Sequence, residues 1–127
     1  MAPAQTDSNA IQAWSQSTAV RGSLTGIIAA TNLELQVPQY NATGSGTAFG
    51  PALSGGAFQG TLQYDDWYKV RYSGPLDWSI AQAGLVAGAT VINFSVRGQN
   101  VATLIAVGVI IGGGVGILGT FTWNGDH

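Results

Sequence analysis

Few side chains in this 127-residue chain are equipped for covalent chemistry. The one histidine, His127, is the last residue, and there is no cysteine, so a multi-histidine metal site and a thiolate nucleophile are excluded and a His-dependent triad is not expected. The carboxylates are Asp7, Glu34, Asp65, Asp66, Asp77 and Asp126. They are too dispersed to form an acid–base pair with separated pKa values. Asp65 and Asp66 are adjacent, and neighbours on a strand face opposite ways, so they read as turn residues. No catalytic residue, cofactor site or metal site is therefore expected, although a cofactor-free enzyme with a barrel cavity stays open.

Binding chemistry is better represented. Tyr64, Trp67, Tyr68, Tyr72 and Trp78 crowd into fifteen positions around Lys69 and Arg71. Tryptophan and tyrosine combine an apolar body with a polar edge, which suits them to sugar faces and to membrane interfaces. Period-two alternation puts Tyr68, Val70 and Tyr72 on one face of a strand and Trp67, Lys69 and Arg71 on the other. Tyr68, Tyr72 and Trp78 are thus expected to fill a core, and Trp67, Lys69 and Arg71 to form a candidate binding face.

The elements that must carry these residues are strands. Nineteen glycines with frequent Val, Ile and Thr favour an all-β domain with tight turns. Segments 18–28, 33–37, 57–64, 68–72, 76–80 and 92–96 alternate and are separated by turn residues. Residues 41–56 hold five glycines and a proline and read as a loop with one short strand near 47–49. Arg97-Gly98-Gln99-Asn100 supplies a four-residue hairpin connection. Residues 1–17 are expected to be a flexible tail, and residues 18–127 a single compact antiparallel barrel of about eight strands, closed against edge-to-edge association.

Charge narrows the partners. Only 8% of residues are charged, the net charge is −2, and the cations Arg21, Lys69, Arg71 and Arg97 are scattered. Nucleic-acid binding needs clustered cations and is not expected. The first twenty residues lack the basic and apolar regions of a secretory signal, so the chain is expected to be cytoplasmic or a mature form without its leader. Asn41-Ala-Thr43 and Asn93-Phe-Ser95 match the short glycosylation acceptor pattern.

The uncharged stretch 103–121 allows three readings. Its length suits a membrane helix, and Gly108 and Gly112 fit small-xxx-small packing. Its Gly114, Gly116 and Gly119 match a dinucleotide fingerprint, but too little chain follows to supply the ribose-binding acid. The favoured reading is a final hairpin bent at Gly112-Gly113-Gly114. In it the β-branched odd positions, Ile105, Val107 and Val109 among them, line the core, and Ala106 and Gly108 form a small-residue outer face.

A resemblance carries this further. Gly55-Gly56, Phe58, Gly60, Leu62, Asp65-Asp66, Lys69-Val70 and Tyr72-Ser73, with Asn93-Phe94, Leu104, Gly108, the run from Gly112 to Gly116 and Trp123, resemble the virulence-associated protein family of pathogenic actinobacteria. The likeness covers roughly the C-terminal half. It implies an eight-stranded antiparallel barrel of Greek-key type, with no cofactor. It also implies a secreted, non-enzymatic protein acting on host endosomal compartments. The partners expected are a lipid membrane or a host macromolecule, and a monomer is expected in preference to an oligomer. Two further function classes remain open: a small-ligand or glycan-binding barrel, and a membrane-inserted or pore-forming barrel with its apolar face outward.

Overall fold

A computed structural model describes residues 14–27, 29–49, 56–83, 89–108 and 118–124. Most of the expected tail lies outside these residues, as do the run from Gly112 to Gly116, where the hairpin bend was expected, and His127. The described chain runs β1(Gln16–Ile27), β2(Ala30–Val37), β3(Ala42–Phe49), β4(Ala57–Tyr64), α1(Trp67–Tyr72), β5(Leu76–Ala83), β6(Ala89–Val96), β7(Gln99–Gly108) and β8(Leu118–Trp123). The eight strands close into an antiparallel barrel in the order β1-β2-β3-β8-β5-β6-β7-β4, with β4 returning to β1. Three connections, β3 to β4, β4 to β5 and β7 to β8, each pass over two intervening strands, which is Greek-key topology.

Local chemistry explains the tight links. A 3-10 turn at Pro38–Tyr40 begins with proline, whose fixed φ suits that position, and ends on Asn41 in the left-handed region. Arg97 and Gly98 have φ of 51° and 80°, so β6 and β7 are joined by two residues rather than the four expected. Positive φ at both central positions matches the right-handed twist of the flanking strands.

The expected faces hold for most strands. Phe58, Leu62 and Tyr64, then Leu76, Trp78 and Ile80, then Ile92 and Phe94 are all buried. Outward positions carry Arg21, Thr25, Glu34, Gln36, Thr43, Ser45, Gln59, Thr61 and Asp77, all exposed. An apolar inside and a polar outside reverse the sidedness of a membrane-inserted barrel. No helix among the described residues is long and apolar enough to cross a membrane.

Residues 103–121 depart from expectation in two ways. First, β7 pairs with β6 and β4, whereas β8 pairs with β3 and β5, so the two strands are not a hairpin. Period-two alternation identifies strands but is silent about which strands pair. Second, the facing differs: Ala102, Leu104 and Ala106, expected outside, are fully buried and Val107 is 61% exposed, although Val101 and Thr103 are buried as expected. Register dictates this, because Ala102 lies opposite Phe94 and Leu104 opposite both Ile92 and Leu62, and directly opposed residues share a face. The small residues turn inward because large rings already occupy that space.

The same reasoning corrects the segment 41–56, expected to be loop with one short strand near 47–49: its residues Ala42–Phe49 form the eight-residue strand β3. A Cβ added at Gly46 would lie 2.8 Å from Trp78 Nε1, and one at Gly119 would lie 2.7 Å from the same atom. Each would also press into backbone of a paired strand, at Thr120 O and at Thr47 O. At Gly44 the obstruction would be the Phe121 ring, at 2.5 Å. Glycine is required there by close approach, and it costs β propensity that the rings offset. Trp78, wholly buried, completes the arrangement by donating its indole N–H to Thr120 O at 3.0 Å. Overpacking of this kind typically costs about 1–3 kcal/mol. Gly119→Ala is therefore expected to lower the urea midpoint by at least that equivalent, while Gly56→Ala, with nothing within 4 Å of the new Cβ, leaves it nearly unchanged. Equal midpoints for the two variants would contradict the packing described.

Candidate functional site

The segment carrying the candidate binding face is a helix, not the strand expected. Asp66 starts it: its backbone is extended, its Oδ1 accepts from Tyr68 N at 2.9 Å, and its carbonyl accepts from Lys69 N and Val70 N. This is N-capping, available to an aspartate that precedes a free run of donors. Asp65 holds the approach by accepting from Ser15 N at 2.8 Å. The adjacent carboxylates thus serve the turn, as their spacing suggested.

Helical geometry redistributes the side chains. Residues three apart share a face, so Trp67 and Val70 point at the barrel while Tyr68, Lys69 and Tyr72 point away. Val70 is 1% exposed and plugs the end of the barrel where β4 ends and β5 begins. Trp67 is half-buried and stacks on Tyr40 at 4.1 Å with rings 5° from parallel. It also meets Tyr64 and Trp123 edge-on at 5.8 and 5.4 Å. Tyr68 and Tyr72, expected in the core, are 69% and 52% exposed. Of the expected binding trio, Lys69 stays outward, Arg71 is half-exposed, and Trp67 has become part of the packing.

Two bonds secure the helix from below. Trp123 donates its indole N–H to Val70 O at 2.9 Å, and Arg71 donates to Asn124 O at 3.2 Å. The helix is too short to be stable alone, so these contacts and the ring packing hold it. Beneath it the rings continue inward, Trp123 to Phe121 at 4.9 Å and Phe121 to Phe94 at 5.4 Å. Tyr40 and Tyr64 share a hydrogen bond of 2.5 Å between their hydroxyls. Burial, followed by that bond, pushes the Tyr64 phenol up to about 12.

What remains outward on α1 is a small amphipathic surface. Tyr68 and Tyr72 lie against one another at 4.8 Å, and the Arg71 guanidinium sits 5.0 Å from the Tyr72 ring centre, a cation–π distance. Lys69 projects beside them. Among the described residues no group of three or more His, Asp or Glu side chains gathers as a metal site would require. The hollows among the described residues open on the outer surface, and the barrel interior is packed with Trp78, Phe94, Phe121 and aliphatic side chains such as Leu24, Leu33, Leu62 and Ile80. A sequence signal for the helix exists in hindsight: aspartate before a run whose apolar residues, Trp67 and Val70, are three apart.

No family model and no curated protein sequence matches this chain. Among solved structures it is similar to virulence-associated protein VapB from the intracellular pathogen Rhodococcus equi, with a TM-score of 0.67 and 23% identity over 86% of this chain and 96% of that one. The likeness is one of fold.

Two outcomes follow from the site's packing. Trp67→Ala should cost about 2 kcal/mol, below the cost of emptying a fully buried tryptophan site, whereas Tyr68→Ala and Tyr72→Ala should each stay within about 0.5 kcal/mol in denaturant unfolding. A reversed order would place Trp67 outside the packing. For Tyr64, the folded pKa of about 12 exceeds the ordinary 10.0, so the folded chain keeps a proton that the unfolded chain releases. Its contribution is complete below pH 10 and is lost as pH rises towards 12. The denaturant midpoint should fall across that window in the native chain and fall less steeply in Tyr64→Phe.

Proposed function

We propose that this barrel is a non-enzymatic module of the virulence-associated type that works by surface contact, docking the outward face of α1 against a lipid membrane. The observation that carries the reading is the pair of exposed phenol rings, Tyr68 and Tyr72, set beside Lys69 and Arg71 on the one described helix. A filled interior leaves the outside to do the work. Tyrosine partitions to the boundary between headgroups and acyl chains, and a lysine arm can lie along apolar surface while its ammonium reaches anionic groups. On this reading the protein acts outside the cell that makes it, in keeping with the intracellular-pathogen source of its structural neighbour.

Magnitudes predict a weak contact. Each cation near an anionic surface contributes about 1 kcal/mol. Two cations and two half-inserted rings reach roughly the −4 kcal/mol of a millimolar complex. Asp65 and Asp77, exposed on the same end of the barrel, oppose it. Binding should therefore be reversible, should favour anionic vesicles and should weaken with salt.

Sedimentation with phosphatidylcholine vesicles, with and without phosphatidylserine, is the direct measurement. The native chain should co-sediment with the anionic set, and the combined Tyr68→Ser, Lys69→Ser, Tyr72→Ser variant should lose about tenfold in affinity while keeping its melting temperature. No association of the native chain with either vesicle ends the membrane reading. Association that the triple variant retains would move the contact to another face.

A further inference from the structure

A second feature lies on the outer wall of β1, β2 and β3, away from α1. Register sets Arg21 beside Gln36, Ser23 beside Glu34, Gln36 beside Thr43 and Glu34 beside Ser45. All lie on the outward side of their strands, so two rows of hydrogen-bonding groups cross the sheet at the strand spacing of about 4.8 Å. Between the rows is a hollow of about 360 Å³, lined by these side chains together with Gly22, Leu35, Gly44 and Asn124. That volume falls within the range of small-ligand sites, about 300–1,000 Å³.

Arg21 is unusual in its placement. It is one of only four cations in the chain, and it lines this hollow and the two that adjoin it. Glu34, one register step away on the neighbouring strand, offers the opposite charge, yet among the described residues neither forms an ion pair. A guanidinium that donates and a carboxylate that accepts thus stand apart across a polar depression, both with hydrogen-bonding capacity to spare.

We propose that this hollow is a binding site for a neutral glycan. A vicinal diol matches it: one hydroxyl oxygen accepts from Arg21 while its neighbour donates to Glu34, and Gln36, Thr43, Ser23 and Ser45 can each both donate and accept around the remaining hydroxyls. The competing ligands fit less well. An anion would gain Arg21 but meet the Glu34 carboxylate, and a free cation would meet the reverse. An acyl chain would leave six polar groups covered and unpaired, at a cost that contact with Leu35 and the two glycines does not offset. Because exposed hydrogen bonds to charged groups each contribute modestly, affinity for one short oligosaccharide should be millimolar, and repeated units on a polymer would raise it.

The test is amide chemical-shift mapping of the isotope-labelled protein against neutral oligosaccharides, with an acidic oligosaccharide and inorganic phosphate as comparisons. Shifts should cluster on β1, β2 and β3 around Arg21 and Glu34 with the neutral sugars. Arg21→Gln and Glu34→Gln should each weaken binding about tenfold, whereas Tyr68→Ala and Tyr72→Ala on α1 leave it unchanged, which separates this site from membrane docking. Both glutamine variants keep an exposed polar side chain, so an unchanged melting temperature accompanies the expected loss. Three results would overturn the proposal: no shifts with any neutral sugar at concentrations well above millimolar, shifts that persist in both variants, or binding confined to the acidic sugar and phosphate that disappears with salt.

Discussion

A barrel this narrow has room along its axis for one layer of large side chains, and the match between its rings and its glycines is the constraint on which the rest of the structure depends. Trp78 from β5 fills the space that Gly46 and Gly119 leave open, and Phe121 from β8 does the same over Gly44. Because each glycine lies on a strand other than the one bearing the ring it seats, the fit can form only in one strand order and one register. A slip of a single residue would turn every ring outward. Alanines at 102 and 106 extend the same accommodation to β7, and Val107 is left on the outside.

That complementarity also explains which parts of the fold were legible from the chain alone. Strands with bulky residues every second position, such as those holding Leu62 and Tyr64 or Leu76, Trp78 and Ile80, announce both their type and their buried face. β3 does not, since its inward positions are Ala42, Gly44, Gly46 and Ala48. Its strand character comes from rings contributed by residues more than thirty positions away, and composition alone presents it as a loop. β7 misleads for a related reason: Ala106 faces inward and the bulkier Val107 outward because the partner strands already supply the bulk. Strand partners are a further blind spot: apolar alternation on 101–108 and 118–123 is equally compatible with a hairpin and with the separated places the two strands occupy.

The cluster of Tyr, Trp, Lys and Arg between residues 64 and 78 is plain in the sequence, but its geometry is not, because period two exchanges inside for outside. One hydrogen bond, from Tyr68 N to the Asp66 carboxylate, changes the period from two to nearly four. Trp67 then becomes a stopper packed on Tyr40 and Tyr64, and the two tyrosines assigned to the core become the surface. The Arg21 and Glu34 pair carried no such mark, since two isolated charges on different strands become neighbours only through cross-strand register.

The place of β8 has a consequence for how this molecule comes into being. It follows the other seven strands in sequence, yet it is inserted between β3 and β5, so neither of those strands has both partners until β8 has been made. A nascent chain emerging from the ribosome would present two unsatisfied strand edges, with the tryptophan of β5 lacking half of its glycine seat, until β8 emerges. Pairings so distant in sequence make for slow closure. Removing the last strand would leave an open, sticky sheet in place of a slightly smaller barrel, and the chain's tolerance for C-terminal truncation should accordingly end at Trp123.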